Sequence, residues 1–99
     1  MTFPVFSAQA EDDLFAVWQN LAERSGAEFA DCIQRDLLVA CGKVGQRPGI
    51  GHRRQDLTNR DVFFYRLYQY MIVYRKSAPI EITAIVHGKR DLGRILDER

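Results

Sequence analysis

Cysteine is scarce in this chain, and no long apolar run occurs in it. Its two cysteines, Cys32 and Cys41, are nine residues apart. On one helix, nine steps of ~100° put them on opposite faces, which excludes a disulfide and leaves helix-packing residues or idle thiols. Two histidines without Cys-x-x-Cys or His-x-x-x-His spacing argue against a metal site, and nothing calls for another cofactor. No window approaches the ~18 consecutive apolar residues of a membrane span. The opening MTFPVFSAQAEDDL lacks the basic n-region and long apolar h-region of a signal peptide. The expectation is a cytoplasmic protein with no membrane partner. Repeats and low-complexity tracts are also missing, and 99 residues are too few for two cores, so residues 1–99 are expected to form a single domain.

The composition is that of a globular chain, with 46% hydrophobic and 27% charged residues. The net charge of +1 conceals a division. Residues 1–42 carry seven acids and two bases (−5), and residues 43–99 carry twelve bases and six acids (+6). Such asymmetry points to an anionic partner for the C-terminal half, or simply to acids at helix N-termini and solvated bases elsewhere.

Ser7 follows the apolar run FPVF as a suitable N-cap. Ala10, Leu14, Val17, Trp18 and Leu21 then recur at helical spacing, with Glu11, Asp12 and Asp13 where the helix dipole favours acids. After a break at RSG, a second series begins: Phe29, Ala30, Ile33, Leu37, Ala40, Cys41 and Val44. The short connection predicts an antiparallel helical hairpin. From Gly45 to Arg60 the periodicity stops in a loop, and the stretch from Lys43 to Arg60 holds five Lys/Arg against one acid, Asp56. The sequence then becomes rich in Val, Ile, Phe and Tyr, predicting strands near 62–67, 70–75 and 80–86 with turns at 68–69 and 76–79. Leu92, Ile95 and Leu96 predict a short C-terminal helix. The order β-α-α-β-β-β-α is α+β: an N-terminal strand and helical hairpin on one face of a mostly antiparallel sheet.

Strand alternation assigns Ile80, Ile82, Ala84 and Val86 to the helix-covered face, and Glu81, Thr83, Ile85 and His87 to the open face. In the central strand Tyr70, Ile72 and Tyr74 oppose Met71, Val73 and Arg75, so both faces are largely apolar and both require cover. With one hairpin and a short tail helix available, the open face is expected to keep an uncovered apolar area for a partner protein, near Arg66, Arg75 and Arg90.

Four segments together resemble the ParE/RelE superfamily of toxins from bacterial type II toxin–antitoxin systems, over nearly the whole chain. They are DDLFAVWQNLAERSG, similar to the first helix; RPGIGHRRQDL, similar to the loop before the sheet; YMIVYRK, similar to the tyrosine-flanked strand; and IEITAIVHGKRDLGRIL. The last contains His87-Gly88-x-Arg90-Asp91, the most specific piece and commonest in the ParE-like branch. One departure is Tyr68-Gln69, where ParE-like chains often carry glycine and arginine.

The resemblance implies a RelE/ParE-like fold and a toxin neutralised by a cognate antitoxin that wraps the hairpin and the sheet. Leu14, Val17, Trp18 and Leu21 are the antitoxin-binding candidates. Operator DNA would be bound through the antitoxin. ParE-like members inhibit DNA gyrase; RelE-like members cut messenger RNA on the ribosome. For a gyrase inhibitor the target-binding candidates are His87, Arg90, Arg66 and Arg75. Metal-independent RNA cleavage needs an activated 2′-hydroxyl, a stabilised phosphate and a protonated leaving group. His87, Arg90 and Arg54 are the candidates for that work. The tail LGRILDER supplies no tyrosine, histidine or lysine to complete such a set, which favours the gyrase alternative. Within the motif, Gly88 and Asp91 read as structural, and His87 and Arg90 as either target contacts or anchors. A chain that has lost toxicity but still binds an antitoxin is a third reading.

Overall fold

A computed structural model of the chain describes residues 3–88. The predicted tail helix and Arg90 lie outside the described residues. The element order is β1 (Val5–Phe6), α1 (Ala8–Ser25), α2 (Ala27–Gln46), a 3₁₀ turn (Pro48–Ile50), β2 (Phe63–Leu67), β3 (Tyr70–Arg75) and β4 (Glu81–His87). The strands form one sheet in the order β1-β4-β3-β2, parallel between β1 and β4 and antiparallel elsewhere. The two helices and four strands make the expected α+β architecture. Among the described residues no helix is long and apolar enough to cross a membrane.

The hairpin forms where the sequence periodicity places it. Ser7 caps α1, its Oγ accepting the Ala10 N–H at 3.1 Å. A single residue, Gly26, separates the helices. Its φ of +93° lies in the region L side chains avoid, and its N–H donates to the Ala22 carbonyl at 3.0 Å. Leu37, Ala40, Cys41 and Val44 of α2 are buried with Ile72, Tyr74, Ile82 and Ile85 of the sheet. Cys32 is exposed and Cys41 buried, as opposite helix faces require. Burial pushes the Cys41 thiol up to about 12, so it is not a reactive thiolate at neutral pH.

The assignment of β4 residues to faces must be corrected. Val73 pairs with Ala84, but Tyr74 pairs with Ile82, leaving Thr83 as an extra residue in a β-bulge. One extra residue inverts the alternation beyond it. Ile80, Ile82 and Ile85 therefore pack under the helices, while Ala84 and Val86 join Val62, Phe64 and Val73 in a second cluster on the other face. His87 lies opposite Tyr70, which packs on the helix side, so His87 is on that face and not on the open one.

Among the described residues the expected uncovered apolar area on the sheet is also absent. Phe64, Val73, Ala84 and Val86 are each 5% exposed or less, and loop residues Leu57 and Val62 pack against them. Among the described residues the exposed large apolar side chains are elsewhere: Phe3 and Val5 at β1, Phe15, Phe29 and Val39 on the helices, and Tyr68 at the β2–β3 turn.

Tyr74 ties the layers together. It is fully buried, its hydroxyl donates to the Pro48 carbonyl, and it accepts the Gly51 N–H at 3.0 Å. A Cβ on Gly51 would lie 2.4 Å from that hydroxyl and 2.9 Å from the Phe64 carbonyl, so only glycine fits there. Removing the hydroxyl leaves two backbone groups without this partner. Tyr74→Phe is expected to cost about 1–3 kcal/mol, read as a lower urea midpoint at unchanged m-value.

Burial also raises the Tyr70 and Tyr74 phenols above their ordinary value. A raised folded-state pKa means that the unfolded chain releases the proton first. This stability is full below the ordinary tyrosine value of about 10 and is lost as pH rises through the folded-state values. Unfolding midpoints followed from pH 8 upward should fall beyond pH ~10, and less steeply in Tyr74→Phe.

Candidate functional site

The motif His87-Gly88 ends β4 beside the β2–β3 turn. Gly88 N–H donates to the Gln69 carbonyl at 2.7 Å, and His87 Nε2 is 2.8 Å from Gln69 Oε1. The His87 ring meets Tyr70 edge-on at 5.7 Å. A Cβ on Gly88 would come within 3.3 Å of the Gln69 carbonyl, so this glycine serves close approach of two backbones. Burial raises the Tyr70 phenol and the nearby Arg24 guanidinium partly offsets it.

The two-residue turn itself is unusual. Tyr68 has a φ of +55°, in a position where hairpins ordinarily use glycine. Two contacts hold it there: its hydroxyl donates to Asp36 Oδ2 on α2 at 2.7 Å, and Arg66 Nε donates to its carbonyl at 3.0 Å. The bond to Asp36 keeps the Tyr68 phenol above its usual value. Together Asp36, Tyr68, Gln69, Tyr70, Arg24 and His87 make one polar end of the molecule, joining the hairpin to the sheet. Sequence reasoning missed Asp36 and Tyr68, because a contact across 32 residues leaves no local pattern.

The target-binding candidates do not converge. Arg66 pairs in register with Met71, on the face opposite His87. Arg75 is at the other end of β3, about 17 Å along the strand, and pairs with Glu81. Arg90 lies outside the described residues. Arg54 belongs to the loop beyond the β2 edge, both guanidinium contacts going to Asp56 at 2.8 and 3.0 Å. That pairing raises Arg54 and lowers Asp56 relative to their ordinary values. β3 and β2 separate Arg54 from His87, a distance of about 10 Å across the sheet alone.

Of the antitoxin-binding candidates, Leu14 and Val17 turn inward and pack against the sheet core, and Leu21 is half-buried. Trp18 faces outward between the helices: its Nε1–H donates to Asp31 Oδ1 at 2.8 Å and its ring stacks on Phe15 at 6.5 Å. Phe15, 60% exposed, was missed; the signal was an aromatic beside, rather than on, the apolar stripe. Asp13 was read as a dipole-favoured acid, but its Oδ2 accepts the Ile85 N–H of β4 at 3.0 Å. Among the described residues no group of three or more metal-ligating side chains occurs.

Residues 5–92 match the family described as the ParE toxin of type II toxin–antitoxin systems, parDE. The fold is similar to a solved chain of the chromosomal ParDE toxin–antitoxin system from P. aeruginosa, with a TM-score of 0.72, 19% identity, and coverage of 86% of this chain and 96% of that one. At that identity the likeness shows the fold alone. No curated protein matches the sequence. The family match spans most of the chain, from β1 through the sheet to beyond the His87 motif, and on that ground this chain belongs to the ParE toxin family of type II toxin–antitoxin systems.

Proposed function

We propose that the chain, acting as a single domain over residues 1–99, is a cytoplasmic toxin that inhibits DNA gyrase and is neutralised by a cognate antitoxin. The observation that carries this reading is the family match over residues 5–92. Operator DNA would be engaged through the antitoxin. The surface offered to the antitoxin is the outer side of the hairpin, where Trp18 and the exposed Phe15 and Phe29 provide apolar area. Leu14, Val17 and Leu21 support that surface from below. The residues offered to gyrase are His87 and Arg90 of the motif, with Arg66, on the opposite face, and Arg75, at the far end of β3, as separate candidates.

The nuclease alternative draws less support. His87 ends β4 whereas Arg54 lies beyond β2, with β3 between them, and the Arg54 guanidinium is engaged by Asp56. A general base and a charge stabiliser must reach the same reacting group.

Purified toxin, free of antitoxin, should block supercoiling of relaxed plasmid by gyrase or trap cleaved DNA, and leave messenger RNA intact in a parallel translation reaction. Ribosome-dependent cuts with gyrase untouched would replace this function with the nuclease one. Phe15→Glu with Trp18→Glu should weaken antitoxin binding at least tenfold while circular dichroism remains that of the wild type; wild-type affinity would place the antitoxin elsewhere.

A further inference from the structure

The charge division in the sequence has a structural counterpart that gyrase inhibition does not by itself explain. Residues 43–76 hold eight Lys/Arg and two acids. Their loop is firmly held. His52 and Phe64 exchange backbone hydrogen bonds at 2.8 and 2.9 Å along the outer edge of β2. Gly51 is bonded to Tyr74, Thr58 is buried, and Leu57 and Val62 pack in the second cluster. Merely solvated bases would not need such a frame.

The frame fixes Arg53 beside the half-buried ring of Phe63, with its Cζ 5.0 Å from the ring centroid. Lys76, at the end of β3, puts its Nζ 4.1 Å from the same centroid. The two cations are therefore no more than about 9 Å apart, within roughly one Debye length at 0.1 M salt. Phe63 also stacks on Tyr74 at 5.8 Å. Arg53 pairs with the exposed Asp61; among the described residues Lys76 has no acid partner. Exposed pairs of this kind are weak, so a phosphate can compete for the guanidinium.

We propose that the Arg53–Phe63–Lys76 cluster binds the phosphate backbone of duplex DNA directly, without sequence preference. A duplex is favoured over single strands because the aromatic ring is already occupied by two cations and Tyr74. Single-strand binding sites need open aromatic faces for bases to stack on. What remains for recognition is a pair of neighbouring positive charges on a rigid support. With −5 over residues 1–42, the positive charge that draws a polyanion is concentrated in the C-terminal half, to which this cluster belongs. The choice of DNA over RNA rests on the gyrase reading. The duplex is assayed without gyrase, so a failure of either reading can be told from a failure of the other.

The experiment is fluorescence anisotropy of a labelled 20–30 base-pair DNA duplex with the purified full chain, titrated across about 50–200 mM KCl. Wild type should bind micromolar or weaker with a linear log–log salt dependence. Lys76→Gln should reduce the slope by about 1. Arg53→Gln with Lys76→Gln should reduce it by about 2 and weaken binding at least tenfold, at unchanged melting temperature. Arg35→Gln, on the hairpin, removes a charge from elsewhere and should leave the slope as it was. The proposal is overturned by absence of binding at 50 mM KCl, by wild-type slopes in Lys76→Gln and the double variant, by an equal effect of Arg35→Gln, or by tighter binding of single-stranded DNA. Equal or tighter binding of duplex RNA would overturn the assignment to DNA while leaving the gyrase assay to stand or fall separately.

Discussion

The extra residue in β4 governs how the rest of the molecule is arranged. β4 pairs with β1 in parallel on one side, at Glu81 and Ile82, and with β3 antiparallel from Glu81 to His87 on the other. A regular strand would put Ile82, Ala84 and Val86 together under the helices and turn Ile85 away. With Thr83 bulged, Ile82 and Ile85 both reach the helix-side core, and Ala84 and Val86 close the opposite face. The bulge has a backbone cost, since unpaired buried groups are penalised by about 1–3 kcal/mol each. Side chains of the helical layer meet that cost: Ser7 Oγ donates to the Thr83 carbonyl at 3.3 Å, and Asp13 accepts the Ile85 N–H. On the other side Thr83 Oγ1 donates to the Val73 carbonyl at 3.3 Å. Helix α1 is thus an edge cover for β4 as well as a layer upon it, which explains an aspartate turned inward from an amphipathic helix.

This is also where sequence reading stopped being sufficient. Both helices were legible because their period is a property of the local chain, and so were three strands rich in β-branched and aromatic residues. The face of His87 was not. It depends on whether Val73 and Tyr74 have consecutive partners on the neighbouring strand, and nothing in EITAIVH signals that they do not. The Tyr68 turn was opaque for a similar reason. Tyrosine at positive φ is disfavoured on its own, and one of the two contacts that hold it there comes from Asp36, distant in sequence. The family motif was visible as letters, but its geometry was not: of the residues it suggested, Arg66 and Arg75 are separated from His87 by the sheet itself or by the length of a strand. Resemblance located the family, and pairing decided the faces.

The division of charge is easier to understand once the layers are known. Seven of the thirteen acidic residues belong to the helical hairpin, which also exposes Phe29 and Phe15, the latter stacked on Trp18. The bases gather on the loop and on the strand ends at the β2 edge. A protein partner that seeks apolar area and a polyanion that seeks cations would therefore be drawn to different surfaces. In the reading proposed here, an antitoxin on the hairpin need not cover the basic cluster. Neutralisation would then act by blocking the gyrase contact or by holding the toxin elsewhere, rather than by masking its charge.

Tyr74 connects these surfaces to stability. Its hydroxyl holds Gly51, which sets His52 against Phe64, which in turn places Arg53 over Phe63; the Phe63 ring then stacks back on Tyr74. The circuit begins and ends on one side chain that is fully buried. A lesion there would loosen the basic cluster without removing any of its charges, because the side chain that positions the cations is not itself a cation. Loss of a hydroxyl from the core and loss of a lysine from the surface therefore act on the same cluster by different routes, one through geometry and the other through charge. Only the second is expected to change the number of counterions that a polyanion releases on binding. The core and the surface are separate in composition but not in cause: the rigidity that makes this loop a surface is supplied from inside the sheet.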